Sequence, residues 1–241
     1  YNVDPEYPLI VAANRDEFLD RPALPLNYWP DAPDLLAGKD LRGGGTWLGV
    51  STRGCFAALT NYRDLRRPPV KARSRGLLVL DMLREHRSLR IETGNYDGFN
   101  LIHGHWQSLH YQNNIDHTFI PLPDGIHGLS NALLNTPWPK VIRAKHAMER
   151  IVFKGDPDAE ALFELLADET PVEAIDLPDT GIDVELEKLL GRIKIRSVDY
   201  GTRCSTVLIV DRNGNAVIEE RSLNNETPTV MRFSCNFPLL A

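Results

Sequence analysis

Five apolar residues, Leu9-Ile-Val-Ala-Ala13, run without a spacer into Asn14-Arg15-Asp16-Glu17 and then Phe18. This stretch limits the fold more sharply than any other. Leu9 to Ala13 reads as a buried strand, and strands usually leave a core through Gly, Pro or a single Asn. Here the strand delivers an amide, a guanidinium and two carboxylates in succession. As an exposed strand end, its charges would pair with one another and stay solvated. As part of a site, a rigid core strand would hold groups able to bind or orient a substrate.

Two later segments end in the same manner. Thr46–Ser51, freed by Gly43-Gly44-Gly45, pairs through a turn at Thr52-Arg53-Gly54 with Cys55–Thr60, which closes on Asn61-Tyr62-Arg63. A strand over Gly125–Leu129 closes on Ser130-Asn131. Side-chain amides can donate to a developing oxyanion, an Arg can hold a substrate carboxylate, and an Asp can orient an amine or thiol. The residues placed together are therefore Asp16, Asn61 and Asn131 as catalytic groups. Asn14, Arg15 and Arg203, the last following Tyr200-Gly201-Thr202, are read as substrate-binding groups. Singly, each Asn at a strand end also serves as an ordinary turn cap.

The remaining pattern alternates hairpins and helices. Tyr1–Val3 and Leu9–Ala13 form an opening hairpin, and the proline-rich stretch 21–33 reads as a loop anchored by Tyr28 and Trp29. Leu77, Leu80 and Leu83 mark a helix over Leu77–Arg87. Phe99–His103 and Gln107–Tyr111 read as a hairpin turned at Gly104, followed by a strand at Thr118–Pro121. Helices follow from Pro139 to Ile151, over Asp158–Ala167 and near Val184–Leu190, separated by a proline-containing acidic linker. Strands at Ser205–Val210, Ala216–Glu220 and Val230–Cys235 close the chain, the first two joined by an Asn213-Gly214 turn. No internal repeat or domain boundary interrupts the series, so the 241 residues read as one α+β domain of mainly antiparallel sheets.

Composition narrows the function classes. A net charge of −6 argues against a nucleic-acid partner, despite the local run Arg63, Arg66, Arg67, Lys71, Arg73 and Arg75. No apolar stretch reaches the length of a membrane span, so no integral membrane segment is expected. Three cysteines without a pairing motif point to a reducing, cytoplasmic compartment. His103, His105 and His110 lack ligand partners at metal-binding spacing, and Gly43–Gly45 lacks the Lys-Ser/Thr of a phosphate loop. Neither a metal nor a cofactor is expected.

Ala-Ala-Asn14-Arg15-Asp16-Glu17-Phe resembles the signature of the NRDE family, which includes the transport-and-Golgi-organisation proteins. So do Asp20-Arg21-Pro22, Gly43-Gly-Gly-Thr46-Trp47-Leu48-Gly49-Val50, Ala57-Ala-Leu-Thr60-Asn61-Tyr62-Arg63, Gly98-Phe99-Asn100-Leu101, Gly128-Leu-Ser130-Asn131-Ala132, Thr136-Pro-Trp138 and Tyr200-Gly-Thr-Arg203. These blocks follow one another along nearly the whole chain. The family is similar to the N-terminal-nucleophile hydrolases, which implies a four-layer αββα sandwich. It also implies that Asn14 and Asp16 form a first site element, with Asn61 and Asn131 as oxyanion donors. The related choloylglycine-hydrolase branch has an Arg where this chain has Ala13, and Arg15 would point to the strand face opposite Asn14 and Asp16. In the family a methionine and then a cysteine open the first strand, so the first few residues of that strand are expected to precede Tyr1.

Two main readings follow. In the first, a cysteine preceding Tyr1 supplies thiol and α-amine for hydrolysis of a C–N bond in a small, non-peptide amide or acyl substrate. Cys55 reads as a small buried hydrophobe, and Arg203 beside Cys204 would lower that thiol's pKa. Thr46 after three glycines is explained by its turn. In the second reading, implied by the resemblance, the fold is a non-catalytic carrier or chaperone for a hydrophobic ligand, haem or an acyl lipid, in trafficking. A purely structural interaction protein is a third. The sequence leaves the oligomeric state open.

Overall fold

A computed structural model describes residues 1–68, 73–85, 91, 94–155, 157–223 and 229–240. Lys71 of the basic run, Arg87 of the expected first helix and Asp156 lie outside these residues. In chain order the strands are β1 Leu9–Phe18, β2 Ala23–Trp29, β3 Ala32–Asp40, β4 Leu48–Ser51, β5 Cys55–Asn61, β6 Phe99–His105, β7 Ser108–Asn113, β8 Phe119–Pro121, β9 Tyr200–Val210, β10 Asn215–Ser222 and β11 Thr229–Asn236. The helices are α1 Gly76–Glu85, α2 Pro139–Val152, α3 Ala159–Leu166 and α4 Val184–Leu190. Among the described residues the chain is thus α+β, with two antiparallel sheets and four α-helices. One sheet has the order β1-β9-β10-β11, the other β2-β3-β4-β5-β6-β7-β8.

Strand alternation sorts the apolar residues into three clusters. Leu9, Leu208, Val210 and Ile218 of the smaller sheet meet Leu26, Leu36, Val50 and Phe56 of the larger one. On the far side of the larger sheet, Leu35, Ala57 and Leu101 receive Leu78, Val79 and Leu83 of α1. On the far side of the smaller sheet, Ile10, Ala12 and Val207 receive Ile151 of α2 and Leu162, Leu165 and Leu166 of α3. Asp158 caps α3 by accepting from the Glu160 N–H at 3.2 Å. Among the described residues no helix is long and apolar enough to cross a membrane.

The expected elements change in five places. Tyr1–Val3 forms no strand of an opening hairpin, although the Asn2 N–H donates to the Pro8 carbonyl at 2.7 Å. β1 does not end at Ala13: Asn14 to Phe18 stay in register with β9, and a bulge falls between Arg15 and Asp16, leaving Arg203 as the extra residue opposite. The proline-rich stretch 21–33 is largely β2 and the start of β3 rather than loop. β2 is an edge strand whose register breaks between Leu24 and Asn27 and again between Tyr28 and Trp29, so the N–H missing at Pro25 leaves no central ladder bond unmade. Gly104 does not turn the chain. It pairs with Phe56 and Leu109 inside β6 at a φ of 135°, and the reversal comes after His105. Gly125–Leu129 forms no strand, and Gly125 instead accepts a hydrogen bond from the Tyr1 amino group at 2.9 Å.

Candidate functional site

The C-terminal halves of β1 and β5 open on a cleft of about 1310 Å³. β1 contributes Asn14, Arg15, Asp16 and Glu17, and β5 contributes Asn61. Asn131 arrives on the segment after β8, and α2 closes the far wall with Lys140, Val141 and Ala144. Residues separated by more than a hundred positions therefore share one cavity. Arg203 is not among its lining residues.

Each of these side chains has a distinct setting. Asp16 accepts from the Thr202 hydroxyl at 2.6 Å, and burial pushes its carboxyl pKa above the ordinary range against the pull of Thr202 and Lys140. Asn14, on the same strand face, is tied into the scaffold. Its amide donates to the carbonyls of Leu166 (2.9 Å) and Ile193 (3.0 Å), and its oxygen accepts from Ser205 at 2.7 Å. Asn131 donates its amide to the Asn61 carbonyl at 3.0 Å and accepts the Arg63 N–H on its own carbonyl at 2.8 Å. The Asn61 side chain is exposed to the cleft and makes no hydrogen bond among the described residues. Arg15 points to the opposite strand face and stacks on the Trp47 indole, 4.0 Å from the ring centre. Arg203 spends one guanidinium nitrogen on the carbonyls of Phe18 (2.9 Å) and Arg21, pinning the chain where it leaves β1.

Several residues of the cleft have little or no signature in the sequence. Lys140 is 8% exposed, donates to the Leu190 carbonyl at 2.8 Å, and has its pKa pulled down to about 8, chiefly by burial. A cation in the first turn of a helix works against the helix dipole, and its position directly after Pro139 is the one signal the sequence carries. Arg63 pairs with buried Glu187 at 2.7 Å and donates to Thr180 at 3.1 Å. Thr180 in turn gives its N–H (3.1 Å) and hydroxyl to Glu187. Tyr200, edge-on to Phe18 at 5.3 Å, has its phenol pushed up by burial and by Asp16. Nothing in the local sequence announces these pairings, which join the segment after β5, the loop before α4 and α4 itself.

Two of the three thiols, Cys55 and Cys204, are buried and poorly placed for attack. Burial pushes Cys55 up, and it pushes Cys204 well above the ordinary thiol value despite Arg15 and Arg203. The expectation that Arg203 activates Cys204 is therefore corrected: desolvation outweighs the neighbouring cation. Thr46 is buried, with its hydroxyl donated to the Leu48 carbonyl at 3.1 Å. Among the described residues no group of three or more His, Cys, Asp or Glu side chains is placed to hold a metal ion.

The chain matches the family model described as Transport and Golgi organisation 2 over residues 1–225. That match takes in every strand but β11, and every cleft residue named above. The chain belongs to this family. A bovine protein named Transport and Golgi organization protein 2 homolog is 38% identical, the match covering 92% of this chain and 89% of the relative. The human protein of the same name is 36% identical over 90% of this chain and 87% of its own length. The Drosophila melanogaster protein named Transport and Golgi organization protein 2 is 27% identical, covering 92% and 88%. These names refer to trafficking and specify no chemistry, so the chemistry of this member rests on its cleft.

Proposed function

We propose that the chain is a single N-terminal-nucleophile-type hydrolase domain, acting on a small amide or acyl substrate through a cysteine upstream of Tyr1. The observation that supports this most is the gathering of Asp16, Asn61 and Asn131 in one cleft. Two facing antiparallel sheets with helices outside both also suit a four-layer αββα sandwich of that class. In this reading the open amide of Asn61 donates to the oxyanion. Asn131 positions it by holding its backbone carbonyl, and Asp16, with Thr202, orients the α-amine that acts as base. Asn14 and Arg203 position the two ends of the β1 polar segment. β1 is an edge strand beside the cleft, so an upstream segment could pair along its open side and bring a thiol to Asp16. The thiol chemistry is that of a cytoplasmic protein.

The apolar wall formed by Val141, Ala144, Met148, Leu165 and Leu166 favours a second reading. In it the same cleft carries a hydrophobic ligand in trafficking without turning it over.

Asp16→Asn tests the first reading in a chain extended upstream to include the cysteine. Asn can still accept from Thr202, and burial already disfavours the charged carboxylate, so the melting temperature should move by no more than about 2 °C. Hydrolysis of p-nitrophenyl ester and p-nitroanilide probes should fall at least about a hundredfold in kcat/KM. An unstable variant that keeps its activity would make Asp16 a scaffold residue and remove the catalytic assignment.

A further inference from the structure

The cleft is basic although the chain is acidic. Among the described residues nine Arg and Lys line it against five Asp and Glu, while the whole chain carries −6. Most of the cations near its centre are already neutralised or hydrogen-bonded. Arg21 is held by Asp40 at 2.7 Å and faces Glu17 at 3.5 Å. Arg63 is held by Glu187 at 2.7 Å. Arg75 donates to the Gly98 carbonyl at 2.9 Å, and Lys140 to that of Leu190.

Arg15 differs from all of these. It is 8% exposed, and one face of its guanidinium lies on Trp47 at 4.0 Å. Among the described residues no hydrogen bond or ion pair takes its N–H groups, yet its nitrogens are not sealed from the cleft. A guanidinium presents five donors in a planar fork, and leaving a buried charge without a counter-ion is strongly unfavourable. Trp47 covers the face and fixes the plane, so the free edge is presented to whatever enters. Arg203, on the bulge beside it, gives one nitrogen to backbone carbonyls, while its Nε is sealed from solvent and so is not offered to a ligand.

We infer that Arg15 is the recognition site for a monocarboxylate group on the ligand, seated edge-on against the guanidinium on the Trp47 side of β1. Arg15 is a buried cation that no carboxylate contacts directly, with only the longer-range pull of groups such as Glu17 and Asp40 on it, so one negative charge satisfies it. A carboxylate matches the planar fork through two parallel N–H···O bonds. A dianionic phosphate meets twice the repulsion from Glu17 and Asp40, which both lie close enough to act on Arg15. This rests on reading the cleft as a ligand site but not on any turnover.

The test uses hexanoate, hexanamide and hexyl phosphate, titrated calorimetrically into the wild-type chain and Arg15→Met. None of them needs the upstream thiol, so a failure here is distinct from a failure of the nucleophile reading. Hexanoate should bind at least about tenfold more tightly than hexanamide, the worth of a charge-assisted hydrogen bond, and no more weakly than hexyl phosphate. Arg15→Met should erase that preference for the carboxylate and leave hexanamide unchanged. Its melting temperature should equal or exceed that of the wild type, because Met keeps the stack on Trp47 and removes an unpaired charge. Equal binding of acid and amide, tighter binding of the phosphate, or no binding of hexanoate would overturn the proposal. So would a marked loss of stability in Arg15→Met, which would make Arg15 a scaffold cation.

Discussion

Glu187→Ala should destabilise the fold by about 3–5 kcal/mol, the usual consequence of removing one partner of a buried ion pair. Glu187 is 3% exposed and is the acceptor for three groups: the Arg63 guanidinium, the Thr180 N–H and the Thr180 hydroxyl. Its loss would leave a half-sealed Arg63 without a counter-charge and two donors without an acceptor. The effect should extend to the cleft, because Arg63 also donates its N–H to the Asn131 carbonyl, and Asn131 holds the carbonyl of Asn61. Urea unfolding checks the stability, and the amide resonances of residues 61–63 and 131 check the local change. A loss under about 1 kcal/mol would show that Arg63 and Thr180 find solvent instead.

Lys140→Met should act in the opposite direction, stabilising the protein by about 2–3 kcal/mol at pH 7. The lysine titrates at about 8 in the folded protein against an ordinary 10.5, and each tenfold change in proton affinity is worth about 1.4 kcal/mol. The sign follows from proton counting. Between those two values the unfolded chain holds the proton that the folded chain has lost, so stability rises with pH across that window. Below pH 8 the burial cost is present in full, and above about 10.5 it has gone. The stabilising effect of Met should therefore be largest at neutral pH and fade toward pH 10.5. Part of it is offset because Asp16 loses a neighbouring cation and its carboxyl moves up further. Melting curves of the two proteins from pH 7 to 10.5 would show the convergence, and a constant gap would remove Lys140 as the titrating group. A buried lysine that lowers stability is consistent with a role in the cleft, where such costs collect.

How much of this was visible in the sequence depended on the range of the interactions. Leu9–Ala13 identified β1 because its apolar run is local, and the Leu77–Leu83 spacing located α1 for the same reason. The continuation of β1 through Asn14 to Phe18 was hidden, since those residues stay in the strand by pairing with β9 almost two hundred positions away. β2 was hidden by Pro22, Pro25 and Pro30, which an edge strand tolerates and a central one does not. Gly104 looked like a turn because its freedom at positive φ suits one, yet the same freedom lets it sit inside β6. Asn61 and Asn131 were legible as polar ends of apolar runs, although Asn131 follows an irregular segment rather than a strand. Lys140 and Trp47 had no clear local signature; only the packing of α2 and of the segment leading into β4 brings them to the cleft, and Glu187 on α4 reaches it only through Arg63.

Selective thiol labelling tests the central claim most directly. In a chain extended upstream to include the expected cysteine, iodoacetamide near neutral pH followed by mass mapping would rank the thiols by reactivity. Burial raises the pKa of Cys55 and Cys204, so both should react slowly. The upstream thiol, placed beside Asp16 and its own α-amine, should be labelled at least about tenfold faster than either of them or Cys235. Preferential labelling of Cys204, or uniformly slow labelling of every thiol, would contradict the nucleophile assignment and leave the cleft as a carrier site.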